Sequence, residues 1–172
     1  MASLMENLIE VLNSESQEYE NLLGLSTRKT PVIISGNLEE LAKITDEEQD
    51  VVSRINRLET KRQEVFADIA NVINKDVKTL LLTDLIQILA QRPQEQQKLA
   101  KVHDQLRTVV HAVKRVNEQN RELIQNSLEM VEFDLNMLQS MKAAPEMANY
   151  NRGAYNTGTS MGVEVGGFDA KQ

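Results

Sequence analysis

The longest regular pattern of apolar and polar positions runs from Pro93 to Lys142, a stretch with no Gly and with Pro only at its first position. At about 1.5 Å per residue it could form a single helix roughly 75 Å long. In its first half the apolar residues alternate in steps of three and four, at Leu99, Val102, Leu106, Val109, Val113 and Val116. This spacing is typical of a coiled-coil seam.

The second half of this stretch carries two apolar stripes rather than one. At about 100° per residue, one stripe continues the seam, and the other lies about 120° away. The first holds Ile124, Leu128, Val131, Leu135 and Leu138, and the second holds Leu123, Met130, Met137 and Met141. A helix with one core to face needs one stripe. Residues 120–141 are therefore expected to contact their own bundle and, in addition, either another helix of that bundle or a partner protein. The methionines favour a partner protein, because flexible thioether side chains suit surfaces that repack around a bound guest.

A first helix is predicted from Ser3 to about Lys29, because Ser3 followed by Glu6 fits a capping box. The next residues break the helical pattern with Pro31 and Gly36. The β-branched run between them, residues 32–34, favours an extended or irregular conformation. We expect either a turn between two helices here or a kink in one very long helix.

A second helix is predicted from Asn37 to Ile73, opened by a capping box between Asn37 and Glu40. Eight of the ten positions in its 3,4 row are apolar, the row being Leu41, Ile44, Glu48, Val51, Ile55, Leu58, Arg62, Val65, Ile69 and Val72. A short helix capped by Thr83 and ending at Arg92 is expected to pack across one end of the bundle. It would cover the three consecutive leucines at 80–82, which would otherwise form an exposed apolar patch.

The helical pattern ends after Lys142. Residues 143–172 hold five of the seven Gly and are predicted to be disordered in isolation. They also hold three of the six aromatic residues, Tyr150, Tyr155 and Phe168. That enrichment suggests a segment that folds on binding; an inert C-terminus with incidental aromatics is the alternative. Two regions are thus expected, a helical bundle over residues 1–142 and a tail over residues 143–172.

The predicted fold class is all-α: an elongated antiparallel helical bundle or coiled coil of about three long helices and a short connector helix, with a flexible C-terminal tail. Composition agrees, since 41% of residues are hydrophobic but only 3% are aromatic and Trp is absent. Such a chain builds an aliphatic, linear core, which suits packed long helices.

Chemistry that would indicate an enzyme is missing from the sequence. The chain has no Cys, and neither His103 nor His111 has the preceding Glu of a di-iron helix motif. No nucleophile with a base and an orienting group stands out. We expect a non-enzyme without metal or cofactor.

Charge and hydropathy limit the partners. The net charge of −7 argues against nucleic acid, which requires clustered Lys and Arg. The first 27 residues contain no Lys or Arg, and no apolar run is long enough to cross a bilayer, so a soluble cytoplasmic protein without membrane insertion is expected.

Two amides, Asn117 and Asn120, are placed by the helical period on the core stripe of the last helix. A buried Asn can fix the register of packed helices at some cost in stability. The alternative is that these amides are presented to the backbone of a guest peptide.

The last part of the chain combines a run of mostly apolar residues with a Gly-rich tail: Asn120, Leu123, Ile124, Ser127, Leu128, Val131, Phe133, Leu135, Leu138, Tyr150, Gly153, Tyr155 and Gly158. In these residues the chain resembles the FlgN-type flagellar export chaperones. The earlier layout is similar too, with a junction at residues 36–39, Arg62 near the middle of the second helix, and a connector at residues 83–86. The resemblance covers nearly the whole chain.

The resemblance implies a cytoplasmic chaperone whose partners are hook-associated flagellar proteins, the hook–filament junction subunits, and the flagellar type III export apparatus. In that family the C-terminal part binds the substrate. The expected partner-binding residues are Asn120, Leu123, Ser127, Met130, Met137, Met141, Tyr150 and Tyr155. The alternative is a structural or adaptor coiled coil that self-associates as a homodimer through the second stripe.

Overall fold

A computed structural model describes residues 3–150 of the chain, with side chains for residues 3–142. The regular secondary structure of this part is all helix, without a strand, which confirms the predicted fold class. Its elements are α1 (Leu4–Ser35), α2 (Leu38–Val72), α3 (Leu82–Ile88), a 3-10 turn (Leu89–Gln91) and α4 (Pro93–Tyr150). The chain divides into two units, Met1–Leu128 and Glu129–Gln172. Within the described residues, no helix combines the length and apolar content needed to cross a bilayer.

Helix α1 begins at the predicted capping box. The Ser3 hydroxyl accepts a hydrogen bond from the Glu6 backbone N–H at 3.1 Å, and the Glu6 carboxylate accepts one from the Ser3 N–H at 2.8 Å. These contacts satisfy two of the N–H groups that a helix start leaves without partners.

The break predicted at Pro31 is wrong, because α1 continues through Pro31 to Ser35. A proline inside a helix removes one backbone hydrogen bond, and here packing outweighs that loss, since Ile33 is buried and Val32 packs against the core. The helix ends instead at Gly36, whose φ of 69° lies in the left-handed region that glycine adopts without strain.

Helix α2 matches the prediction to within a residue at each end. The Asn37 side chain accepts a hydrogen bond from the Glu40 N–H at 3.1 Å, so the N-cap is present, but the reciprocal bond of the predicted capping box is not formed. The Asn37 N–H, in turn, donates to the Val32 carbonyl at 3.3 Å. One residue therefore closes α1 and opens α2, which makes the connection a tight turn.

The connector helix α3 begins one residue before the predicted cap. Thr83 lies inside the helix, and the N-terminal contact comes from Asp84, whose carboxylate accepts a hydrogen bond from the Leu81 N–H at 2.8 Å. The α-helix ends at Ile88, and the 3-10 turn carries the chain to Gln91. Of the three leucines of the predicted apolar patch, Leu80 is buried, Leu82 is partly buried and Leu81 is 62% exposed, so the connector covers the patch only in part.

In the first unit, α1, α2 and the start of α4 form a three-helix bundle with an aliphatic interior. One core cluster joins all four helices and holds Leu8, Leu12, Ile69, Ala70, Leu80, Leu85, Leu89, Leu99 and Val102. A second joins the three long helices and holds Leu22, Leu25, Ile44, Val51, Ile55 and Val113. These pairings make α1 antiparallel to α2 and parallel to α4.

Candidate functional site

The predicted seam on the first half of α4 lies in the bundle core. Leu99, Val102, Val109 and Val113 are buried, and Leu106 and Val116 are partly buried. Burial of α4 in the first unit ends with Ile124, which is partly exposed. Asn120 lies beside Thr30, and α1 ends only five residues after Thr30. About one and a half turns of α4 beyond Asn120 therefore have a helical neighbour in the first unit.

Further along α4 both apolar stripes are exposed. Leu128, at the end of the first unit, is 61% exposed. In the second unit, the seven large apolar side chains of residues 130–141 are each more than half exposed: Met130, Val131, Phe133, Leu135, Met137, Leu138 and Met141. We call residues 130–141 the exposed apolar segment. The expectation that the first stripe continues to face the bundle is wrong at Leu128. Within the second unit, the described residues of both stripes are exposed.

Asn120, one of the predicted partner-binding residues, is buried between α4 and α1. Its amide N–H donates a hydrogen bond to the Ser26 carbonyl at 2.8 Å, and its amide oxygen accepts one from the Thr30 hydroxyl at 2.6 Å. Both ends of the amide are thus used inside the bundle, which agrees with a role in fixing helix register. Asn117 is exposed and does not lie on the core stripe as expected.

The other predicted residues fall into three groups. Leu123 is partly buried, and Ser127 is exposed with its hydroxyl donating to the Leu123 carbonyl of its own helix at 2.8 Å. Met130, Met137 and Met141 belong to the exposed apolar segment. Tyr150 and Tyr155 lie outside the residues whose side chains the structure describes.

A buried ion pair between α1 and α2 was not predicted from the sequence. Glu15 is 2% exposed, and its Oε1 lies 3.3 Å from Nε of Arg62 without the alignment of a hydrogen bond. Burial raises the pKa of the Glu15 carboxyl; the Arg62 charge opposes this shift, and the Glu59 charge adds to it. Burial has the largest of these three effects on the pKa, so the Arg62 charge only partly compensates the buried carboxylate of Glu15.

A second polar contact lies nearer the Gly36 turn. The Glu48 carboxylate accepts hydrogen bonds from the Ser26 hydroxyl at 3.1 Å and from the Lys29 ammonium at 2.8 Å. Glu48 and Arg62 are the two polar positions that interrupt the apolar row of α2. In the sequence, these two interruptions indicate that α1 supplies polar partners opposite Glu48 and Arg62.

A cleft of about 750 Å³ lies between α1 and α2 on the bundle surface. Eight of its ten lining residues are polar or charged, and they include an ion pair between Glu18 and Arg54 at 3.0 Å. None of the predicted binding residues lines it. Since exposed charges on amphipathic helices are solvated, we read this cleft as bundle surface, and the exposed apolar segment remains the candidate site.

Comparison with known proteins gives the chain a family. The sequence model of the FlgN protein family matches residues 1–157. A relative in Bacillus subtilis (strain 168), named uncharacterized protein YvyG, is 26% identical over 144 residues, which cover 84% of this chain and 83% of the relative. No solved structure matches the chain. Because the match to the family spans most of the sequence, the chain belongs to the FlgN family, a family of flagellar export chaperones.

Proposed function

We propose that this protein is a cytoplasmic chaperone that binds hook-associated proteins, the subunits of the hook–filament junction, before their secretion by the flagellar type III apparatus. One observation carries the proposal: a member of a chaperone family exposes seven large apolar side chains on residues 130–141 of a single helix. A soluble protein rarely leaves such a surface without a binding role.

The proposed client is a subunit whose helical ends pair only after assembly. Before assembly, the apolar faces of those helices would aggregate. The exposed apolar segment offers such a helix a matching apolar surface, in the manner of helix-in-groove recognition. Met130, Met137 and Met141 suit this task, because the flexible thioether chain adapts to partners of different shape.

The tail is the second part of the proposed site. We place Tyr150 and Tyr155 over the bound client helix, with the tail ordering as it binds. Ordering a segment costs conformational entropy, which keeps the affinity moderate. A moderate affinity allows the client to pass to the export apparatus without any chemical step by the chaperone.

Self-association as a structural coiled coil is the second candidate function. It is favoured by the exposure of the second stripe, since Met130, Met137 and Met141 are each more than half exposed and would pair with the same stripe of another copy. This alternative predicts a stable homodimer and a tail without influence on binding.

The first test is a pull-down from the flagellated organism that carries this protein, using the full chain and a chain ending at Lys142. Recovery of a hook-associated protein by the full chain, with weaker recovery by the truncated chain, would support both the chaperone function and the role of the tail. Recovery of only the protein itself, equally with both chains, would instead support the homodimer.

A matched pair of variants tests the exposed apolar segment within the full chain. The triple change Met130→Gln, Met137→Gln and Met141→Gln keeps side-chain length and helix propensity but removes apolar surface. The control Asn136→Gln and Ser140→Gln alters the polar side of the same helix. We expect the triple variant to lose the client and the control to retain it, with equal thermal stability for both, because all five side chains are exposed.

A further inference from the structure

The exposed apolar segment presents more apolar surface than one helix can cover. At about 100° per residue, its seven apolar residues spread over an arc of about 200° around α4. Val131, Leu135 and Leu138 lie on one side of this arc, and Met130, Phe133, Met137 and Met141 lie on the other. A helix that packs against one neighbour typically uses a stripe about 100° wide. The observed arc therefore matches two neighbouring helices.

The charges of the segment indicate the chemistry of its partner. Glu129, Glu132 and Asp134 are all exposed, and no Lys or Arg occurs between residues 129 and 141; the nearest base is Lys142. Asp134 lies inside the apolar arc, between its two sides, whereas Glu129 and Glu132 lie on the polar side. A partner that covers both sides must enclose the Asp134 carboxylate, which is costly unless that partner supplies a cation.

A second copy of this chain does not meet that requirement. Two or three copies of the segment packed through the same arc would bring their Asp134 carboxylates together in an apolar contact. An antiparallel pair centred on the segment would place Asp134 opposite Met137, and Lys142, the base nearest to the segment, opposite Glu129, so Asp134 would still face no cation. The charge pattern thus favours a different, basic partner.

We propose that the exposed apolar segment binds two helices of one client subunit together, one on each side of the arc, with a Lys or Arg of the client paired to Asp134. This inference rests on the proposed chaperone function and specifies its client site. It means that the segment replaces the contacts that the client's own helices make after assembly. A helix in the middle of such a three-helix arrangement needs apolar residues over the width observed here.

Site-directed photo-crosslinking in the full chain tests the two-helix arrangement. A photoreactive phenylalanine analogue is placed at Leu135 or at Met137, on opposite sides of the arc, and at Gln139 on the polar side as control. Each protein is mixed with a purified hook-associated protein of the same organism. We expect positions 135 and 137 to crosslink two different helices of the client, and position 139 to give little product.

Each other outcome has a distinct meaning. Crosslinks from both positions to the same client helix would overturn the two-helix inference while leaving the chaperone function intact. Crosslinks to another copy of this chain would overturn the inference in favour of self-association. Absence of a complex with every hook-associated protein would reject the proposed function, and the inference would fail with it.

Charge reversal tests the pairing at Asp134. We expect Asp134→Lys to weaken client binding at least tenfold, and Glu132→Lys, two residues away on the polar side, to change it less than about threefold. Both residues are exposed, so neither change should alter the thermal stability of the free protein. Equal effects of the two variants would show that only the net charge of the segment affects binding. That result would overturn the pairing of Asp134 with a Lys or Arg of the client.

Discussion

The side-chain amide of Asn120 on α4 donates a hydrogen bond to the backbone carbonyl of Ser26 on α1 at 2.8 Å. The same amide accepts a hydrogen bond from the Thr30 hydroxyl, so a buried polar group in an aliphatic interior has both of its functions satisfied. The contact lies in the turn of α1 just before Pro31, whose missing N–H leaves the Thr27 carbonyl without its helical partner. This contact joins α1 and α4, which are far apart in sequence, and it lies one turn before the last partly buried residue of α4 in the first unit, Ile124.

Replacing Asn120 by Ala should lower the free energy of unfolding by about 1–3 kcal/mol, because Thr30 loses its buried acceptor and the new side chain leaves a gap. Asn117→Ala is the control, since Asn117 is exposed three residues earlier on the same helix; its effect should stay within about 0.5 kcal/mol. Urea unfolding followed by circular dichroism measures both. A loss of client binding by Asn120→Ala without any loss of stability would return this residue to the partner site.

Replacing Arg62 by Gln should destabilise the bundle, because Glu15 would remain buried without its counter-charge. Arg62 is itself 34% exposed, so water can partly take its place, and the expected loss is about 1–3 kcal/mol rather than the larger cost of a fully buried pair. The control is Arg54→Gln, which removes the more exposed pair with Glu18 and should cost less than about 1 kcal/mol. Equal losses in the two variants would mean that the burial of Glu15 does not increase the cost of removing its counter-charge.

The raised pKa of Glu15 gives the stability a defined dependence on pH. Between its ordinary value of 4.5 and the raised value, the folded state binds more protons at Glu15 than the unfolded state does. The contribution of this group to the free energy of unfolding therefore falls as pH rises through that interval. Above the raised pKa the carboxyl is ionised in both states, and the loss of stability is complete.

The variant Glu15→Gln should remove this dependence. Its stability relative to the unchanged protein should increase as the pH is raised from about 4 to about 7, measured by urea unfolding at several values. Parallel stability curves for Glu15→Gln and the unchanged protein would contradict the raised pKa.

Gly24, inside α1, and Gly36, directly after its end, should respond to alanine in opposite directions. An added Cβ meets nothing within 4 Å at either Gly24 or Gly36, so only the backbone distinguishes them. Gly36→Ala should cost about 1–2 kcal/mol, because its φ of 69° is left-handed. Gly24→Ala, inside the helix, should stabilise by about 0.5–1 kcal/mol. Thermal unfolding of the two variants provides the measurement; a shift in the same direction would contradict this account.

Much of the fold could be predicted because its signals are local. The capping residues Ser3 and Asn37 and the regular row of α2 place helix boundaries within a residue or two. The error at Pro31 arose because a local breaker and a β-branched run were weighed without the contacts of Ile33, which is buried in the folded protein. Tertiary packing decided the conformation of residues 32–34, and no short-range pattern reports it.

The candidate site was predicted only in part, since the sequence gives the direction of a side chain around a helix but not what lies opposite it. Met130, Met137 and Met141 lie on the exposed surface expected for a partner. Asn120 shares their helix but finds its partners on α1, ninety residues or more away in the chain. The first stripe is exposed from Leu128, although its spacing is that of a buried seam.

The two polar positions of α2 also have a consequence for misfolding. A slip of α2 by one heptad along α1 would keep nearly every apolar contact, because the row repeats every seven residues. It would, however, place Ile55 or Ile69 in the position that Arg62 occupies beside Glu15. Placing an aliphatic side chain beside Glu15 removes its counter-charge, as Arg62→Gln does, and costs about 1–3 kcal/mol. A single acidic residue in the interior thus disfavours the mispaired bundles that a purely aliphatic repeat would permit.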